Sequence, residues 1–231
     1  MQYSRSQSQL IYRSIRRSAV ATNMAPALRR RRRELWVLVL VCCVLCASGF
    51  TASLRQRAKT NLIQTISRGG SENDVLAAVR QTELLNPTRW PGALASPLLS
   101  DNWLMVWTTS ESIAGKRRPA FLQTRTPPEQ LLDVRNGRAL NAETVLGFTN
   151  AVEIALTQKT RSKAAVQFER FRLGPISFPA PAGLSGELDT TFLDETMRVS
   201  RGDQGNVFVL LRESTERREA DAAWDGWRRS W

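Results

Sequence analysis

Histidine is absent from this 231-residue chain, and its three cysteines, Cys42, Cys43 and Cys46, share one short apolar run. A Ser-His-Asp triad, a Cys-His dyad and the ordinary zinc sites are thereby excluded from the body of the protein, since each needs imidazole or thiolate. Chemistry is left to carboxylates, amines and guanidinium groups. Their densest cluster alternates in sign: Asp189, Asp194, Arg198, Arg201 and Asp203. Such a cluster serves one of two ends. Arg is a fork donor that captures a polar head group at the mouth of a pocket. Alternatively the charges form a salt-bridged turn that fixes strand register, with Gly202 and Gly205 supplying the unusual backbone angles. No carboxylate pair here has the positioned partner that acid–base catalysis requires, so no enzyme activity, metal or cofactor is expected.

A second group is apolar. Trp103, Met105, Trp107, Phe168, Phe192 and Phe208 are large, flat or pliable side chains spaced along segments that read as strands. They line a cavity for a hydrophobic molecule if the interior is hollow, and fill a solid core if it is not.

The elements that position these residues follow from periodicity. Leu54, Ala58, Leu62 and Ile66 recur at four-residue steps, a helical stripe ended by Gly69-Gly70. Ser71 with Asp74 three residues on starts a second helix in a capping-box-like arrangement, with Val75, Leu76, Val79 and Leu84 on its buried side and Asn86-Pro87 as its stop. Beyond Pro87 short strands are expected: Asn102 to Thr109, with Trp103, Met105 and Trp107 on one face, then Ala120 to Gln123. Leu131 to Val134 and Ala139 to Val145 follow, joined at Asn136-Gly137 by a type I′ turn. Val152 to Leu156 alternates, as does Ala165 to Leu173, where Val166, Phe168 and Arg170 share a face. Leu173 to Gly186, with three Pro and three Gly, reads as a loop. Met197 to Ser200 and Asn206 to Leu211 close the series. Seven or eight short strands after two helices favour an antiparallel barrel or sandwich. Trp224 and Trp227 then share one face of a short helix in the Trp/Arg-rich tail 213–231, which either lies on a lipid surface or docks on its own barrel.

The formal charge of +12 is not a nucleic-acid signal. Residues 1–53 hold nine Arg against the single acid Glu34, which leaves +4 on the other 178 residues. Residues 1–33, rich in Ser and Arg and free of acids, have the composition of an organelle transit peptide. The apolar run from Leu35 to Phe50 is 16 residues, short of the ~20 that a membrane span needs. A removable segment is therefore expected over 1–53, with cleavage near Ala47 to Gly49. Either Met1 is the start and Arg29 to Arg33 precede a second signal, or Met24 is, with Phe50 at the boundary.

Several segments resemble the plastid lipid-associated protein family, or fibrillins. Leu188 to Arg212, LDTTFLDETMRVSRGDQGNVFVLLR, is similar to the family's C-terminal signature, with Arg-Val-Ser-Arg-Gly before a Phe-Val-Leu strand. Gln130 to Glu143 and Asn102 to Ser112 resemble earlier strands, and AKTNLIQTISRGG with Leu84 to Pro87 sits where the family has N-terminal helices. The chain departs from it in Asp101-Asn102-Trp103, where lipocalin-like proteins carry Gly-x-Trp, and in Phe192-Leu193-Asp194, where Tyr-Leu-Asp is usual. The resemblance implies a mainly β fold over 54–212: a lipocalin-like antiparallel barrel preceded by two short α-helices. It implies a plastid protein of thylakoids or plastoglobules that binds or organises carotenoid, quinone or fatty acid without catalysis. Its partners would be a hydrophobic small molecule or a membrane lipid surface, the latter met through residues 35–50 or the C-terminal tail. A lipocalin-type enzyme working on an isoprenoid with Asp/Glu chemistry, at Asp189 or Asp194, and a solid-barrel scaffold are the alternatives.

Overall fold

The structure, a computed structural model, describes residues 49–231. The transit-type composition, the apolar run and the expected cleavage site lie outside the described residues, apart from 49 and 50. No helix among the described residues is long and apolar enough to cross a membrane. Leu54–Trp231 form one unit.

Helix α1 covers 49–67 and buries Leu62, Ile63 and Ile66, the stripe its four-residue spacing dictates. Ser71 caps α2, Glu72–Leu84, by accepting from the Asp74 amide at 3.3 Å. Val75, Ala78 and Val79 are buried, whereas Leu84 is exposed because the helix has already turned its last side chain outward. Asn86 then staples the helix end to the sheet, donating to the Thr191 carbonyl at 2.9 Å and accepting from the Leu193 amide at 3.2 Å.

Nine strands follow: β1 Asn102–Thr108, β2 Glu129–Asp133, β3 Arg138–Val145, β4 Phe148–Gln158, β5 Lys163–Leu173, β6 Ile176–Pro179, β7 Ser185–Leu193, β8 Met197–Gly202 and β9 Val207–Arg212. Each pairs antiparallel with its neighbour, and β9 returns to β1. The ring β1-β2-β3-β4-β5-β7-β8-β9 is therefore a closed eight-stranded barrel, which leaves no unpaired edge within the ring. Strand β5 is shared: its first half pairs with β7 and its second half with β6, so the β4–β5 hairpin rises past the barrel wall with β6 alongside.

Three sequence expectations change here. Ala120–Leu122 is a 3₁₀ turn in the β1–β2 connection and not a strand. The Asn136-Gly137 turn is four residues long, closing on Asp133 and Arg138, with only Gly137 at positive φ (63°). Asp133 holds it by accepting from both the amide and the side chain of Asn136. The Pro/Gly-rich segment 173–186 contains strand β6 and the start of β7.

The two ends of the barrel differ. One carries the β2–β3, β4–β5 and β7–β8 turns and is closed by residues 93–101. There the Leu94 amide bonds Arg161, and the Asp101 and Leu99 carbonyls accept from the Leu132 amide and the Trp103 indole. The other end carries the β1–β2, β3–β4 and β8–β9 connections and the β5–β6–β7 excursion. Outside the ring, α4 (Glu213–Arg228) packs on β1 and β9 and buries Trp224 and Trp227, so these tryptophans are docked on the barrel and not presented outward. The α4–α1 crossing is close because Gly226 lies there; a Cβ would stand 2.0 Å from the Ser67 carbonyl oxygen.

Candidate functional site

Strand alternation assigns each side chain to the interior or the outer wall, until a bulge inverts the parity. In β1 the register shifts between Met105 and Trp107. Trp103 and Met105 consequently face inward, opposite Arg212 and Leu210, whereas Trp107 pairs with Val209 and faces out. Its ring lies 6.2 Å from that of Trp227 on α4. A second bulge, between Thr190 and Phe192, does the same to β7. Phe192 is fully buried, but in the outer layer, between the barrel wall and the helices. A third shift, on β5 opposite Glu153/Ile154, brings Phe171 and not Arg170 to the side of Phe168, and the two rings stack at 6.4 Å.

The interior holds a cavity of about 380 Å³. Its apolar wall includes Met105, Leu132, Ala139, Ile154, Phe168, Phe208 and Leu210. Leu184 and Ile113 line it while being 40% and 46% exposed, so the cavity opens at the end that carries the β1–β2 and β8–β9 connections. Phe168, Phe171 and Phe178 form a continuous aromatic stack from the cavity to that end.

The floor is polar and ordered. Trp103 is fully buried, and its indole N–H donates to the Leu99 carbonyl at 3.0 Å. The Arg212 guanidinium stacks on its ring at 4.6 Å, pairs with Asp101 and donates to the Leu98 carbonyl at 2.7 Å. One pairing step toward the mouth, Arg198 projects inward from β8 with its guanidinium 5.4 Å from the same ring. It donates to Gln130, which in turn donates to Asn141 at 2.7 Å. Its Nε and Nη1 have no partner. Burial pushes the Arg198 guanidinium down to about 9, which still leaves it cationic at neutral pH. Ser200 and Thr190 continue this polar stripe, 3.5 Å apart.

The charged cluster read from sequence is thus divided by the wall. Arg198 is inside, far deeper than a mouth position. Arg201 is outside, doubly bonded to Glu83 of α2 at 2.8 Å and 2.8 Å, and the Glu83 hydrogen bonds raise its pKa above the ordinary value. Asp189 lies opposite Arg201 on the outer face, and Asp194 is in the β7–β8 turn at the closed end. Asp203 stands at the mouth. Of the apolar candidates, Met105, Phe168 and Phe208 line the cavity, Trp103 builds its floor, and Trp107 and Phe192 belong to the outer layer. Gln130, Asn141 and Arg212 were not among the sequence candidates. Arg212 ends the last strand, and only the cross-strand register brings it onto Trp103.

A closed eight-stranded antiparallel barrel with two preceding helices and one apolar cavity is a lipocalin-like barrel, the class of fold that encloses a single hydrophobic molecule. The PAP_fibrillin family profile matches residues 56–174 and 138–211, and the chain belongs to that family. It is 34% identical over 171 residues to "Probable plastid-lipid-associated protein 5, chloroplastic" of Arabidopsis thaliana, covering 70% of this chain and 71% of that protein. It is also 26% identical over 208 residues to "Probable plastid-lipid-associated protein 3, chloroplastic" of Oryza sativa subsp. japonica, covering 64% of this chain and about half, 54%, of that one. No solved structure matches the chain.

Proposed function

We propose that this protein is a plastid carrier that binds one hydrophobic molecule in its barrel without a covalent step, and exchanges it while docked on a thylakoid or plastoglobule lipid surface. The cavity carries this reading. At about 380 Å³ it falls in the ~300–1,000 Å³ range of small-molecule sites, at the lower end. That size suits a single acyl chain or short isoprenoid better than a whole carotenoid, and a scaffold with a solid barrel would have no such space. The chloroplastic designation of both relatives supports the compartment. Two carboxylates beside the cavity speak against the isoprenoid-enzyme alternative: Glu129 pairs with Arg217, and Glu187 with Lys159 and Lys163, so each is engaged in an ion pair.

Filling the cavity tests it. Ala139 lies on the inner wall, and Ala139→Phe places a ring where the ligand would lie. The neutral dye Nile red is expected to lose at least about tenfold in affinity for this variant, with an unchanged or raised melting temperature. Undiminished affinity in the folded variant would place the dye elsewhere and remove the basis for a carrier.

The surface half of the reading rests on the rim. Of the twelve large apolar side chains exposed among the described residues, eight stand at the open end. They include Leu146, Phe148, Leu173 and Ile176 on neighbouring hairpin tips, close enough that a Cβ added at Gly174 would stand 3.3 Å from the Phe148 ring. Leu146 adopts φ 53° in a Leu-Gly turn, a position that Asn or Gly ordinarily takes, and thereby holds an isobutyl group out in solvent. The β1–β2 connection beside them carries Lys116, Arg117, Arg118 and Arg125, of which Arg117 pairs with Glu111 and Arg118 with Glu143. Apolar tips beside a basic connection match an anionic lipid surface. The double substitution Phe148→Ser with Ile176→Ser is expected to cut flotation with vesicles of phosphatidylcholine and phosphatidylglycerol by at least about tenfold, since each side chain buried in lipid contributes roughly 1.5–3 kcal/mol. Equal flotation of the double variant would mean that another face meets the membrane.

A further inference from the structure

We infer that Arg198 is the head-group site of the barrel and that it selects a long-chain carboxylate, bound head inward with its tail toward the mouth. The inference rests on the reading of the cavity as a ligand site and adds the chemical class of the ligand.

Arg198 is almost completely buried, at 1% exposure, yet two of its three guanidinium nitrogens lack a partner. An arginine stays charged and carries five N–H donors. A buried cation with no counter-charge is strongly unfavourable, which is why interior charges are nearly always paired. The neighbouring pair offers no relief: Arg212, on the same tryptophan ring, takes Asp101, and Arg198 has no ion-pair partner among the described residues. The one polar contact that Arg198 makes, to Gln130, is to a neutral amide. Gln130 is itself held by Asn141, so the guanidinium is pinned in the wall of the cavity with two nitrogens buried and unpaired.

The missing group must be an anion attached to something apolar that fills the remaining wall. A neutral carbonyl, as in a quinone, would satisfy the hydrogen bonds but leave the charge unbalanced. A hydroxyl would do less. A carboxylate supplies two acceptor oxygens and the compensating charge together. The polar stripe ends at Ser200 and Thr190, and from there to Phe168 and Phe208 the wall is apolar, as an alkyl tail requires.

The test is displacement of Nile red from the purified full chain by hexadecanoate and by hexadecanol, which share a chain and differ in the head. Hexadecanoate is expected to bind the native protein about ten- to a hundredfold more tightly, the range that a charge-assisted hydrogen-bond pair supplies. In Arg198→Met, which keeps the length and removes the charge, hexadecanoate should lose this advantage, so that the two ligands agree to within about twofold. Equal affinities in the native protein would overturn the head-group site and leave the carrier standing, and this arm needs no variant to fold. A preference for the acid that survives in Arg198→Met would place the selectivity elsewhere and overturn it as well. Tighter binding of decyl-plastoquinone than of hexadecanoate would overturn the carboxylate class. Failure of every apolar ligand to displace the dye would instead sink the carrier reading itself.

Discussion

Asp194→Ala is expected to lower the stability of the barrel by about 3–5 kcal/mol, the cost of stranding one member of a buried ion pair. Asp194 sits in the β7–β8 turn with its side chain 3% exposed, and Lys59 of α1 reaches it at 2.8 Å with a side chain only 10% exposed. The other carboxylate oxygen accepts from the Thr196 and Met197 amides at 3.0 and 2.9 Å. Removing the carboxylate therefore leaves a buried ammonium without its counter-charge, held only by the Thr196 hydroxyl, and two amides without acceptors. Urea unfolding of the variant against the native chain measures the loss. Adding Lys59→Met should recover part of it, because the ammonium is then no longer stranded. A loss under about 1 kcal/mol would mean that the pair is solvated and that α1 is held by its apolar stripe alone. Ligand affinity per folded molecule should not change, since Asp194 belongs to the closed end and not to the cavity.

Trp224→Ala should cost about 3–5 kcal/mol as well, for a different reason: a large void in a packed layer. Trp224 is fully buried, and its ring meets those of Trp227 and Trp231 edge-on at 5.3 and 5.8 Å. Trp227 in turn contacts Trp107 of β1, so the three C-terminal rings are the adhesive between α4 and the barrel. Trp224→Phe is expected to be much milder, because it discards an indole N–H that has no acceptor while keeping most of the packing. Thermal unfolding of both variants distinguishes a docked helix from a lipid-bound tail. If Trp224→Ala melted like the native protein, α4 would not be part of the folded domain and its tryptophans would be free to meet a membrane.

Much of the frame was legible because local chemistry dictates it. The four-residue apolar spacing of Leu62 and Ile66 makes α1, Ser71 and Asp74 start α2, and the alternation through Val152 to Leu156 makes β4. Ala120 to Gln123 read as a strand because Phe and Leu have strand propensity, yet the segment has no neighbour to pair with and winds into a 3₁₀ turn. Strand β6 was hidden by Pro175 and Pro179, which discourage a central strand; as an edge beside the far half of β5 it tolerates them.

By itself, the sequence determined which side-chain chemistries the chain can supply and the spacing of its strands. The lack of His, the confinement of Cys to residues 42–46, the regularly spaced strands and the Arg198 to Arg201 segment are properties of the chain alone. Which side of the wall each residue occupies was decided only by the tertiary structure. A side chain in a strand changes face with every residue, so one bulged residue is enough to send Trp107 and Phe192 outward while Met105 and Thr190 stay within. The same holds for the site. Arg198, Gln130 and Asn141 come from three strands, and Arg212 meets Trp103 across 109 residues of chain, so no local pattern announces them. Closure of the barrel sets the register, and the register alone leaves Arg198 in an apolar cavity without a counter-charge.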